Sequence, residues 1–252
     1  MGKGELAAVR ARSFLVSLVV LIQASWSSPS WGWVLEGHHS ITLDALAVLP
    51  PAMREALTPH VSVLLAGVVE PDFHRVVSHK IPIISLSGTP PPARSGAPNE
   101  FQRLATNAQE MLRLGRDLSE VSFVLGQATH FVQDLNQPLH AAWGETRAEH
   151  NEVEAQMLYR SWQKAHTYRG FMLVRNYSCF ALEIAQNSSQ HARPLFFDRE
   201  IKRVTEIAWD QAVNDTANLW QSILWHALGR ERAWQQHGIP APVREIANGS
   251  LC

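Results

Sequence analysis

The sequence predicts an all-α domain. Apolar residues recur at helical spacing through most of the chain, and no stretch alternates apolar and polar residues well enough to read as a strand. Proline, glycine and capping residues punctuate the chain at intervals that suit helices. With 252 residues, 46% of them hydrophobic, the chain has material for one well-cored domain or two small ones. The formal net charge of −1 leaves no electrostatic footprint for duplex nucleic acid or an anionic membrane. A bound metal would add its own positive charge to that balance.

The N-terminus reads as a targeting segment outside the fold. Lys3, Arg10 and Arg12 precede the uncharged apolar run Phe14 to Ala24, and the small-residue stretch SWSSPS follows. The run falls well short of the roughly 20 residues that span a bilayer. The expectation is a signal peptide over residues 1–30, cut after Ser30, and a mature domain over 31–252 that is secreted or periplasmic.

The first expected helix runs from Ser40 to Leu49 and stops at Pro50-Pro51. Thr58 and Pro59 read as N-cap and first residue of a second, apolar through Val61–Val68. Ile81 to Glu100, full of Pro, Gly and Ser, reads as an irregular surface loop within the domain. Asn99 then caps a helix to about Leu114, ended by Gly115. In the helix Ser119–Leu135, Val121, Val124, Leu125, Ala128, Phe131, Val132 and Leu135 form one apolar face, with Gln127, His130 and Asp134 on another. Pro138 breaks it, a new helix starts near Thr146, and a long one runs from Asp198 to Leu228, closed by Gly229.

The chemistry concentrates in HFVQDLNQPLHAAWGETRAEHNEVEAQ, His130 to Gln156. Residues four apart on a helix project side by side, so His130 with Asp134, and His150 with Glu154, can each reach one cation. Either pair alone reads as a solvated surface pair. Two pairs with His140 between them, behind a proline turn, point to a metal site, and imidazole with carboxylate suits zinc. Upstream, Trp31, Trp33, His38 and His39 follow the expected cleavage site, and Glu70, Asp72, His74 and His79 stand at the end of a hydrophobic helix.

The segment HFVQDLNQPLHAA resembles the signature of the zinc-dependent phospholipase C family, which shares its fold with fungal single-strand-specific zinc nucleases. The resemblance implies three Zn2+ ions. Trp31, through its α-amino and carbonyl groups, and His38 would hold one; Asp72, His79 and His130 a second. Asp134 would bridge these two, and His140, His150 and Glu154 would hold the third. Trp33 is the rival terminus, since it has the nucleases' spacing of five to His38. His74 is the alternative to His79, and Glu70 to Asp72. Asn136 and Ala141-Ala142 are closer to the phospholipases than to the nucleases.

The expected function is therefore hydrolysis of phospholipid headgroup phosphodiesters, with transient contact at a membrane surface and no obligate protein partner. Asp72 would also orient or deprotonate the attacking water. Phe73 is a candidate substrate-binding wall, with a core aromatic as the plainer reading. A nuclease or 3′-nucleotidase acting on single-stranded nucleic acid is the first alternative, and a non-catalytic metal- or lipid-binding protein the second. Cys179 and Cys252 are the two cysteines, and export permits a disulfide without requiring one. Sequons stand at Asn176, Asn187, Asn214 and Asn248.

Overall fold

The computed structural model describes residues 33–73, 78–92, 96–161 and 166–246. All of them belong to one compact unit, Trp31–Cys252. The expected signal peptide and Trp31 lie outside the described residues, as do His74, Cys252 and Asn248. Helices α1 (Leu35–Val48), α2 (Pro51–Leu57), α3 (Val61–Phe73), α4 (Ala97–Arg113) and α5 (Leu118–Asn136) come first. They are followed by α6 (Arg147–Ser161), α7 (Tyr177–Ser189), α8 (Asp198–Leu228) and α9 (Arg230–His237). Among the described residues no helix is long and apolar enough to cross a membrane.

Several boundaries differ from expectation for local reasons. Helix α1 starts before Ser40 because Trp33 is fully buried beneath its first turn, where Gly37 lies against the indole. Thr58 is not an N-cap: its hydroxyl donates back to Arg54 O at 2.7 Å, and Thr58–His60 is a 3-10 turn. Helix α3 does not end at Val68 but continues through Pro71 to Phe73. Helix α4 is preceded by Gly96, with Asn99 inside its first turn. Helices α2, α7 and α9 were not anticipated. The boundaries of α8 are those expected, with Gly229 at φ +78°.

The loop after α3 is more ordered than its composition suggests. Ile81, Ile83 and Leu86 donate their backbone N–H groups to His140, Ala141 and Trp143 O at 2.9, 2.9 and 2.8 Å. Within this run β1 (Ile84–Ser85) pairs in parallel with β2 (Ala142–Trp143). A second short parallel pair joins β3 (Met172–Val174) to β4 (Arg244–Ile246). Two- and three-residue strands are too short to show alternation.

The tightest helix packing is α3 against α5. A Cβ on Gly126 would land on Leu64 O and 2.8 Å from Val68 N; one on Gly67 would lie 2.9 Å from the Phe123 carbonyl carbon. The missing side chains let the two backbones touch. Helix α8 crosses behind, with Trp220 Nε1 donating to Thr129 Oγ1 of α5 at 2.7 Å. Its Asn214, Asn218 and Ser222, four apart on one face, accept from the N–H groups of Arg169, Met172 and Val174 at 3.0, 2.9 and 2.9 Å. Asn214 is buried and committed there, so its sequon presents no surface amide. Cys179, on α7, is disulfide-bonded.

Candidate metal centre

Helix α5 carries the centre of the site. Asp117 caps it, accepting from Ser119 N at 2.8 Å, and its last two turns are buried, so His130 and Asp134 face protein rather than water. Four imidazole nitrogens surround the Asp134 carboxylate: His130 Nε2 at 3.1 Å, His79 Nδ1 at 3.2 Å, His38 Nε2 at 3.3 Å and His140 Nδ1 at 3.4 Å. Asp72 reaches the cluster from the last turn of α3, its Oδ1 3.8 Å from both His79 Nδ1 and His130 Nε2. The helical turn beyond Pro71 puts it there.

The second pair is arranged alike. Thr146 and Glu149 form a capping box at the start of α6: Thr146 N donates to Glu149 Oε2 at 2.7 Å, and Glu149 N to Thr146 Oγ1 at 3.2 Å. One turn on, His150 Nε2 lies 2.8 Å from Glu154 Oε1, and His140 Nε2 lies 3.7 Å from the same oxygen. His140 comes from the 3-10 turn Pro138–Ala141, set by the proline.

Hydrogen bonds to the outer nitrogens fix the tautomers. His130 Nδ1 donates to Val68 O at 2.8 Å. Thr42 Oγ1 spends its proton on His38 O, so it accepts from Gln133 Nε2 at 2.9 Å. Gln133 therefore turns Oε1 to His38, whose Nδ1 donates to it at 2.7 Å. In both rings Nε2 is left with its lone pair toward Asp134.

What remains is a set of buried donor atoms with no hydrogen-bond partner. They are His38 Nε2, Asp72 Oδ1, both Asp134 oxygens, both His140 nitrogens and His150 Nε2. Buried polar atoms without partners are costly, and these converge on one another. Three groups have ligand atoms close enough to share an ion: His38/Asp72/His130, His79/His130/Asp134 and His140/His150/Glu154. The mixed nitrogen and oxygen set fits zinc. The electrostatics agree. Burial works against charge on His38 and His79, but the Asp134 carboxylate outweighs it and raises both pKa values. Burial likewise opposes ionisation of Asp134, yet His130 and His140 hold its carboxyl well below the usual range. The cluster attracts positive charge.

Every expected ligand among the described residues lies in this cluster. Of the alternatives, Glu70 accepts from Gln127 Nε2 at 2.7 Å, on the flank of α5, and belongs to none of the three groups. Trp33 is buried, its indole donating to Gln133 O at 2.9 Å. Phe73 is 59% exposed, so it is not a core aromatic; it is also absent from the described lining of the cleft. The cleft, about 600 Å³, opens onto Asp72, His79, His140 and His150, with Lys80, Trp143, Glu145 and Arg147 among its walls. Sequence reasoning missed Gln133, Lys80 and Glu145. The first two are chain neighbours of ligands, and the third stands five before His150, which is the signal they offered.

A family model described as zinc dependent phospholipase C matches residues 37–235. Among solved structures, the chain is similar to the alpha-toxin of Clostridium perfringens isolated from avian strain SWCP, with TM-score 0.56 and 15% identity over 77% of this chain and 65% of that one. It is also similar to the alpha toxin of Clostridium absonum, with TM-score 0.56 and 16% identity over 78% and 65%. At such identity the likeness is one of fold, and the chain spans just under two thirds of both toxins' length. No curated protein matches the sequence.

Proposed function

The chain belongs to the zinc-dependent phospholipase C family, and from that premise we propose that it hydrolyses phospholipid headgroup phosphodiesters at a centre of three zinc ions. Water adds to phosphorus, the bond to the glycerol oxygen breaks, and diacylglycerol and a phosphorylated headgroup leave. The observation that carries this reading is the convergence of unpartnered ligand atoms about Asp134 and Glu154, with Asp72, His79, His140 and His150 lining an open cleft.

Zinc bound there supplies Lewis acidity for the phosphoryl group and activates water at neutral pH. His38, His79, His130 and Asp72 would hold two ions about the shared Asp134 carboxylate, with the mature N-terminal tryptophan, Trp31 or Trp33, completing one of them. His140, His150 and Glu154 would hold the third. Asp72 both faces the histidines and lines the cleft. That position supports a role for Asp72 in orienting the attacking water and holding its proton. Export after removal of residues 1–30 belongs to the same proposal, as does transient contact with a lipid surface.

The test offers the zinc-loaded mature chain phosphatidylcholine vesicles and single-stranded DNA in parallel. Release of diacylglycerol and phosphocholine, faster than DNA is cut, is expected. Cleavage of DNA with lipid untouched would replace this reading with the nuclease one, and zinc binding without either activity would favour a binding protein.

A further inference from the structure

We propose that Glu145 is a positioning residue which, with Lys80 beside it, holds the His150 imidazole in the tautomer and orientation that the His140/His150/Glu154 group requires. The inference rests on the metal-centre reading above.

The argument begins with the proton. His150 Nδ1 lies 3.2 Å from Glu145 Oε1, while Nε2 faces Glu154 and has no hydrogen-bond partner. A carboxylate only accepts, so Nδ1 carries a proton toward Glu145, and an ion shared with Glu154 would take the lone pair on Nε2. The Glu145 side chain is 2% exposed, and the Lys80 ammonium is paired with the same oxygen. That pairing keeps the carboxylate ionised and pins it, so the ring cannot rotate without leaving its buried Nδ1–H unmatched.

Position in the chain strengthens the case. Lys80 follows His79 and opens the run that pairs with His140–Trp143; Glu145 immediately precedes Thr146, which caps α6. One carboxylate thus ties together the segments that bear His79, His140 and His150. The contrast with the other rings is chemical. His38 and His130 donate to a neutral amide and a backbone carbonyl, whereas His150 donates to a charged acceptor. A charged partner makes an imidazole a stronger metal ligand, and loss of such an outer partner typically costs about 10- to 100-fold in metal affinity.

The experiment compares the mature wild-type chain with Glu145→Ala and Glu145→Gln, by zinc titration against a competing chelator and by 15N NMR of the histidine side chains without metal. In Glu145→Ala, one ion should bind about 10- to 100-fold more weakly, the others should be unchanged, and His150 should lose its Nδ1–H preference. Glu145→Gln keeps an accepting oxygen, so it should restore the tautomer and part of the affinity. Wild-type zinc affinity and an unchanged tautomer in Glu145→Ala would overturn the proposal. So would equal weakening of every ion together with a lowered melting point, which would mark a purely structural residue. If the wild-type chain binds no zinc, the functional reading fails, while the metal-free tautomer measurement still decides the role of Glu145.

Discussion

Gly126→Ala should weaken both the fold and the site, although alanine favours helix more than glycine does. The new Cβ would land on Leu64 O and 2.8 Å from Val68 N. An ordinary contact needs about 3.5 Å or more, so α3 and α5 would have to part by roughly 0.7–1 Å. The His130 Nδ1 to Val68 O bond starts at 2.8 Å, and that shift would carry it to about 3.6 Å, where it ceases to be one. Overpacking costs about 1–3 kcal/mol and an unmatched buried donor about 1–3 kcal/mol, against about 1 kcal/mol regained in helix propensity. A net loss near 3 kcal/mol would lower Tm by about 6–12 °C for a chain of this size. Circular-dichroism melts of metal-free wild type and variant measure it, and zinc competition should show weaker binding. A variant that melts at or above the wild-type temperature would refute the account of this helix crossing.

Asp134→Asn should remove more than one zinc ion and abolish turnover, because one carboxylate faces four imidazoles, whereas His140→Ala should lose about one; metal analysis by mass spectrometry separates them. At His38 and His79 the pH response should have opposite signs with and without metal. The folded-state pKa values of His38 and His79 are raised by Asp134 against the opposing effect of burial. In metal-free protein these two groups contribute stability at low pH that is lost as pH rises through their folded values, while His140, whose pKa burial lowers, contributes with the opposite sign; His38→Gln should therefore lower the melting point more at pH 6 than at pH 8. Protons compete with zinc for the same nitrogens, so the loaded protein should lose zinc over that window as pH falls; full zinc content at pH 5 would contradict this. Asn218→Leu should cost about 1–3 kcal/mol by orphaning the Met172 N–H without changing zinc content, and unchanged denaturant stability would refute it.

The ligand-bearing helices were legible because helical spacing is local: His130 with Asp134, and His150 with Glu154, are neighbours on any helix. The 31 residues of α8 were legible for the same reason, up to the closing glycine. The pairing of Ile81–Leu86 with His140–Trp143 was not, since its hydrogen bonds join backbones and leave no pattern in side chains. Pro71 hid the last turn of α3, because a proline reads as a stop while the helix absorbs it. Gln133, Lys80 and Glu145 act through partners distant in sequence or in neighbouring segments, and no single residue type announces that. The choice between His79 and His74 rested on chain distance alone, and the fold brings His79 to Asp134.

The parallel pairing of β1 with β2 also bears on the order in which the protein assembles. Ile84 meets Ala142 only after the chain between them, including α4 and α5, has folded back on itself, and a closure between segments so far apart is entropically late. The segments bearing His79 and His140 should therefore join late in folding, which a low φ-value at Ile84 would show. Contacts absent from the transition state act on the rate of leaving the native state rather than on the rate of reaching it. A cation held across that seam would serve as a latch on the finished structure: it would lengthen the protein's lifetime and leave its speed of folding nearly unchanged.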